Sequence, residues 1–195
     1  MQEQPPRVLI SAGSDGKAVF PTVGVTLSQL VFWANNDTAP HQPFSPDGAF
    51  LIKTAIAPGQ TSNTQAPGNA IAKLVPGGLA QGQAYNLNYT DSLAPGVTGV
   101  LQLVNDFYST TLQITIAPGA NNVLPPTPLI QGGLPPYTFK VEYSELPSTV
   151  TVIDGGNNGP TLSGTSAAGG PWLLRVAISD SLGNSVTDTY QITVS

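Results

Sequence analysis

The stretch "PWLLRVAISDSLGNSVTDTYQITVS", residues 171–195, decides the fold class. Leu174, Val176 and Ile178 alternate with other residues, as do Tyr190, Ile192 and Val194. In an extended chain successive side chains point to opposite faces, so each trio shares one face of a strand. Between them, Asp180-Ser181-Leu182-Gly183-Asn184 supplies residues that form tight turns. The spacing predicts two long antiparallel strands with one apolar face.

The same grammar extends back through the chain. Runs such as "RVLIS", "AVFPTVGVTLSQLVFWA" and "AFLIKTAIA" are separated by "AGSDG", "NNDTAP" and "PG". No window keeps an apolar period of 3.6 residues beyond about two turns. The one helical expectation is a turn or two within "NAIAKLVPGGLAQG", residues 69–82, stopped by Pro76 and Gly77. An all-β chain built from sandwiches follows. "TGVLQLV" (98–104) reads as a closing strand and "TLQITIAPG" (111–119) as a fresh one. The expected organisation is a flexible N-terminus at 1–7, one β-sandwich over 8–106 and a second over 107–195.

Composition excludes several function classes. Six Lys and Arg against eleven Asp and Glu, with no basic cluster, give no electrostatic footprint for nucleic acid. The absence of cysteine removes disulfides, thiolate metal sites and cysteine nucleophiles. No apolar run has the length of a membrane span. Few charges and abundant Thr, Asn, Gly and Pro suggest an exported chain, secreted, periplasmic or at the cell surface, whose export signal was trimmed ahead of Met1.

"VFPTVGVTLSQLVFWANNDTAPH", "IAPGQT" and "YNLNYTDSLAPGVTGVLQLV" together resemble the cupredoxin family, whose members include plastocyanin and azurin. The resemblance implies a Greek-key sandwich over most of residues 8–104 and places His41 at the first copper ligand. The family's ligand loop reads Tyr-x-Cys-x-x-His-Pro-x-Met-x-Gly. Here Tyr89, Pro95 and Gly99 keep their places, while Asp91, Ala94 and Val97 stand where the cysteine, second histidine and methionine would be. Without a thiolate or a second imidazole, a trigonal copper site cannot form. His41, the only histidine, is expected to be a relic hydrogen-bonded to backbone. A weak copper site from His41, Asp91 and Asp47 is the alternative.

Residues 112–195 resemble the immunoglobulin-like and cadherin-like repeats of bacterial surface proteins. Leu162, Gly164, Thr165, Gly169, Asp180, Ser181 and Gly183 occupy that family's turn positions. Cadherin-like modules often bind calcium, which takes oxygen ligands, so Asp154, Asp180 and Asp188 are the calcium candidates. Neither "DGGNNG" nor "DSLGN" has the spacing of an EF-hand loop. Ordinary turn capping is the expectation for Asp15, Asp37, Asp47, Asp154 and Asp180, with no resident cofactor.

Catalytic constellations are sparse. A serine triad has only His41 as base, and no G-x-S-x-G elbow surrounds any serine. Trp33, Trp172, Phe32, Tyr137 and Phe139 read as core, while Tyr85, Tyr89 and Phe107 are the better candidates for an exposed sugar platform. The chain therefore reads as a non-enzymatic structural or adhesive module of a bacterial surface, envelope or filament assembly. It would bind a protein or glycan, or assemble with itself through sheet edges, with "RVLIS" as a strand to donate. Copper handling through His41 and a carbohydrate-binding accessory module are the alternatives.

Overall fold

A computed structural model of the chain describes residues 6–195. The protein is all-β, with helix confined to single turns. It divides into two compact units: the chain up to Leu79 together with Ala84–Val104, and Ala80–Gln83 together with Asn105–Ser195. Of the segment expected to be flexible, residues 1–5 lie outside the described residues, and Arg7 already belongs to a strand.

The first unit contains strands β1 (Arg7–Ala12), β2 (Ala18–Val19), β3 (Thr22–Thr26), β4 (Phe32–Asn35), β5 (Pro43–Phe44), β6 (Ala84–Asp91) and β7 (Thr98–Val104). They form two sheets, ordered β2-β1-β4 and β3-β7-β6-β5. β1 runs parallel to β4 and β3 parallel to β7, whereas β5, β6 and β7 pair antiparallel. Val8, Ile10, Val31 and Trp33 from one sheet meet Val25, Leu87, Tyr89, Leu101 and Leu103 from the other in a single apolar core. Trp33 has no exposed surface and stacks near Phe50, with ring centroids 4.6 Å apart. Along β6 the period of two sends Leu87, Tyr89 and Asp91 inward and Asn86 and Asn88 outward.

The inward placement of Tyr89 demands a glycine opposite. β6 and β7 place Gly99 directly across from Tyr89, and a Cβ at Gly99 would lie 2.4 Å from the Tyr89 ring. The phenol then donates to the Pro21 carbonyl at 3.0 Å, and burial pushes its pKa up. Tyr89 is thus a core residue, which corrects the expectation of surface exposure; Tyr85 and Phe107 are half-buried.

The helical turn expected near residue 70 exists. Pro67 opens a 3-10 turn, Pro67–Ala70, which continues as α1 (Ile71–Leu74). Val75 bonds back to Ile71 at 2.7 Å, and Pro76 and the left-handed Gly77 (φ 93°) end it.

"RVLIS" is the correction of most consequence. β1 lies between β2 and β4, with Val8 and Ile10 fully buried. Arg7–Ile10 pair with β4 and Ser11–Ala12 with β2, and a strand that fills its own core is not free to be donated.

The second unit holds β8 (Tyr108–Ser109), β9 (Gln113–Ile116), β10 (Thr127–Pro128), β11 (Ile130–Gln131), β12 (Thr138–Ser144), β13 (Val150–Asp154), β14 (Pro160–Gly164), β15 (Gly169–Ser179) and β16 (Ser185–Val194). The largest sheet runs β12-β15-β16-β9, and a second runs β10-β14-β13. Leu174, Val176 and Ile178 of β15 and Tyr190, Ile192 and Val194 of β16 are all buried, packing with Val150, Leu162, Leu129 and Ile130. Tyr190 sends its hydroxyl to the Leu129 carbonyl at 2.8 Å. At the outer edge, β12 carries Lys140, Glu142 and a register shift between Val141 and Tyr143. Charge and a bulge on an edge strand discourage pairing with another chain.

Candidate functional site

The site is built from the end of β4, the approach to β5 and the end of β6. β5 pairs with β6 so that Pro43 faces Asp91. His41, two residues before Pro43, is held by reciprocal main-chain bonds with Ile56 at 3.1 and 2.7 Å. Asp37 sits on the intervening turn. Asn35, fully buried, shapes that turn by accepting from the Asp37 N–H at 2.8 Å and donating to the carbonyls of Ala39 and Ile56, each at 2.8 Å.

These elements bring two carboxylates onto one imidazole. His41 Nδ1 lies 2.6 Å from Asp91 Oδ2, and His41 Nε2 lies 2.9 Å from Asp37 Oδ2. His41 is 1% exposed, Asp91 2% and Asp37 8%. The second oxygen of Asp91 accepts the main-chain N–H groups of Gln42 at 2.8 Å and Leu93 at 3.0 Å. The second oxygen of Asp37 accepts the Thr38 N–H at 2.7 Å. The Thr38 N–H first, and His41 second, hold the Asp37 carboxyl below its ordinary range against the opposing effect of burial. The edge of Phe20 closes the cluster, its ring centroid 5.9 Å from that of His41.

Each ring nitrogen faces a carboxylate oxygen, the pattern of an imidazole carrying a hydrogen on both nitrogens. Such an ion triplet is costly to bury and even costlier to break, because removing one member strands the others without water. Chemically it is closed: no lone pair of the imidazole points at a cavity.

That closure decides the copper question for these residues. Asp37 and Asp91 approach opposite ring nitrogens, so the three side chains do not converge on a point where an ion could sit. Ala94 and Val97, half-buried in the turn between β6 and β7, offer no donor side chain. Asp47 is exposed on a different turn and makes no bond to His41. The residues present do not fit a copper ion. The expectation that His41 bonds only to backbone is also corrected: its main chain pairs with Ile56, but its side chain is held entirely by carboxylates.

The calcium candidates are dispersed in the second unit. Asp180, 7% exposed, spends both oxygens on the N–H groups of Leu182, Asn184 and Leu134 and on the Asn184 amide, all within 3.1 Å. Asp154 caps Gly156 at 2.8 Å, and Asp188 accepts from Ser109 at 2.6 Å. Among the described residues, no three His, Cys, Asp or Glu side chains form a group that could hold a metal ion. The five aromatic residues read as core are not exposed either. Trp33 and Tyr137 are buried, and Phe32, Phe139 and Trp172 are half-buried.

Asp37 is the member of the cluster that sequence reasoning assigned only to a turn. Its spacing of four from the sole histidine, in a chain with eleven acidic residues, was the available signal.

No family model matches the chain. No curated protein matches it either. Among solved structures, the ectodomain of human desmocollin-1 aligns over 100% of this chain, which spans 39% of that chain's length. The identity is 12% and the TM-score 0.35, a level at which the likeness carries no structural argument. Among the described residues, no helix is long and apolar enough to cross a membrane.

Proposed function

We propose that this chain is a non-catalytic extracellular module with a structural or adhesive role in a bacterial surface, envelope or filament assembly. The observation that carries this reading is the closed Asp37–His41–Asp91 cluster. The chain's only imidazole, the side chain best suited to proton transfer near neutral pH, is buried and engaged at both nitrogens. It is therefore used to hold the end of a sandwich together. Asp154 and Asp180 cap turns, and the buried apolar residues fill two cores, which is the economy of a stable spacer or binding scaffold.

The test couples attachment to metal uptake. Purified chain coated on beads is expected to promote attachment between beads or to bacterial cells. The same protein, titrated with copper(II) and calcium in a calorimeter, is expected to show no stoichiometric uptake. Failure to attach, together with stoichiometric copper binding that disappears in His41→Ala, would replace this reading with metal handling.

A further inference from the structure

In the first unit, two extended segments outside the regular strands each complete one sheet and leave its outer edge open. Residues 60–65 lie along β4: Ser62 donates to the Trp33 carbonyl at 2.8 Å, Asn35 donates to Gln60 at 2.9 Å, and Gln65 and Val31 exchange bonds at 2.7 and 2.8 Å. Residues 50–56 lie along β5 and its approach: Ser45 donates to Phe50 at 3.1 Å, Ile52 to Pro43 at 3.2 Å, and Ile56 pairs with His41. The two edges line a cleft of about 720 Å³, bounded by residues 51–57 and 60–65.

The bonding pattern says which groups are left over. Leu51 pairs with Phe44 and Thr61 with Ala34 as isolated antiparallel bridges. The bonds flanking each bridge belong to the neighbouring residues, so Leu51 and Thr61 occupy non-hydrogen-bonded positions. Their own N–H and C=O groups then point away from the sheet they extend. Among the described residues, the N–H groups of Leu51, Lys53, Ala55, Thr61 and Asn63 make no main-chain hydrogen bond. Unpaired edge groups of this kind are templates for another strand unless they are guarded. Of the guards seen on β12 only a charge is present here, Lys53, the one charged residue among the described residues that line the cleft, while the Gln42 amide takes the carbonyls of Ile52 and Lys53 at 3.0 and 3.1 Å.

We infer that this cleft is a docking groove for an extended polypeptide segment carrying an acidic side chain, bound by strand addition to the edges at 51–55 and 61–63. The inference rests on the adhesive reading and gives it a partner chemistry. Main-chain groups on the edges supply affinity, and Lys53 supplies the charge preference. A strand residue advances about 3.3 Å, with about 4.8 Å between strands and about 10 Å between sheets, so the cleft accommodates roughly four or five residues.

The probe is a terminally blocked peptide, TVTEVTV, titrated into the labelled full chain and followed by NMR. Expected are shifts and slowed hydrogen exchange at the amides of Leu51, Lys53, Thr61 and Asn63. Lys53→Glu should weaken binding roughly two- to fivefold, the scale of one exposed ion pair, and N-methylation of alternate peptide amides should abolish it. Shifts confined to other surfaces, no shifts at millimolar peptide, or binding indifferent to N-methylation would overturn the groove. Bead attachment measured on Lys53→Glu separates the two readings. Attachment undiminished by that change, with no peptide binding, sinks the groove and leaves the adhesive role standing. Peptide binding at the named amides without any bead attachment supports the groove and removes the adhesive role.

Discussion

Asp91→Ala probes the cluster most directly, because Asp91 alone ties His41 to β6. The change removes the acceptor of the 2.6 Å bond to His41 and of the main-chain bonds from Gln42 and Leu93. No water replaces them readily, since Asp91 is 2% and His41 1% exposed. Breaking a buried ion pair by deleting one partner costs about 3–5 kcal/mol. In a unit of about 100 residues, 1 kcal/mol moves the melting temperature by about 4–8 °C, so the expected fall is roughly 12–40 °C. The assay is thermal unfolding followed by fluorescence in a Trp172→Phe background, which leaves the fully buried Trp33 as the sole indole and reports on the first unit. Asp91→Asn, which keeps the shape and one acceptor, should lose less than the alanine variant. Replacing His41 and Asp91 together by leucine should cost less than the sum of the single replacements, since only the Asp37 carboxylate is then left without its partner. A fall below about 3 °C for Asp91→Ala, or strict additivity in the double replacement, would refute the claim that the triplet acts as one buried unit.

Three further outcomes follow from the same geometry. Gly99→Ala forces a Cβ to within 2.4 Å of the Tyr89 ring, so the ring must shift, at a cost of about 1–3 kcal/mol in denaturant unfolding. Asp37 has a folded pKa below its ordinary 3.8, so the unfolded chain takes up this proton first as the pH falls. Its contribution is complete above about pH 4 and is lost as the pH drops through the folded value; Asp37→Asn should lower stability at pH 7 and show a shrinking deficit towards pH 2 in urea titrations. Deleting residues 7–12 removes the strand between β2 and β4 together with Val8 and Ile10, and the cooperative Trp33 transition should disappear, whereas a donor strand could be deleted with the fold intact.

The parts of the fold legible in the sequence were those where one local period decides the answer. β15 and β16 each carry three buried residues at every second position, 174–178 and 190–194, and Pro76 and Gly77 end the short helix by chain geometry alone. The same rule would have buried Tyr89, since it lies two residues from the fully buried Leu87. It was obscured by the polar neighbours Asn86 and Asn88, which the alternation in fact requires on the opposite face.

What the sequence did not reveal depends on pairing between distant segments. Asp91, fifty residues after the histidine, reaches His41 only because β5 and β6 pair Pro43 with Asp91. Asp37 has the composition of an ordinary turn carboxylate, and it does cap Thr38; only the second oxygen distinguishes it. The open edges at 51–55 and 61–63 were hidden for a related reason. Apart from Leu51 and Ile52 their residues are Lys, Thr, Ala, Ser and Asn, because a segment paired on one side and solvated on the other has little second face to bury. Such a segment keeps its unused hydrogen-bonding groups without any apolar signature. These open edges are therefore places where hydrophobic periodicity says little, and the strand-addition experiment addresses their bonding capacity directly.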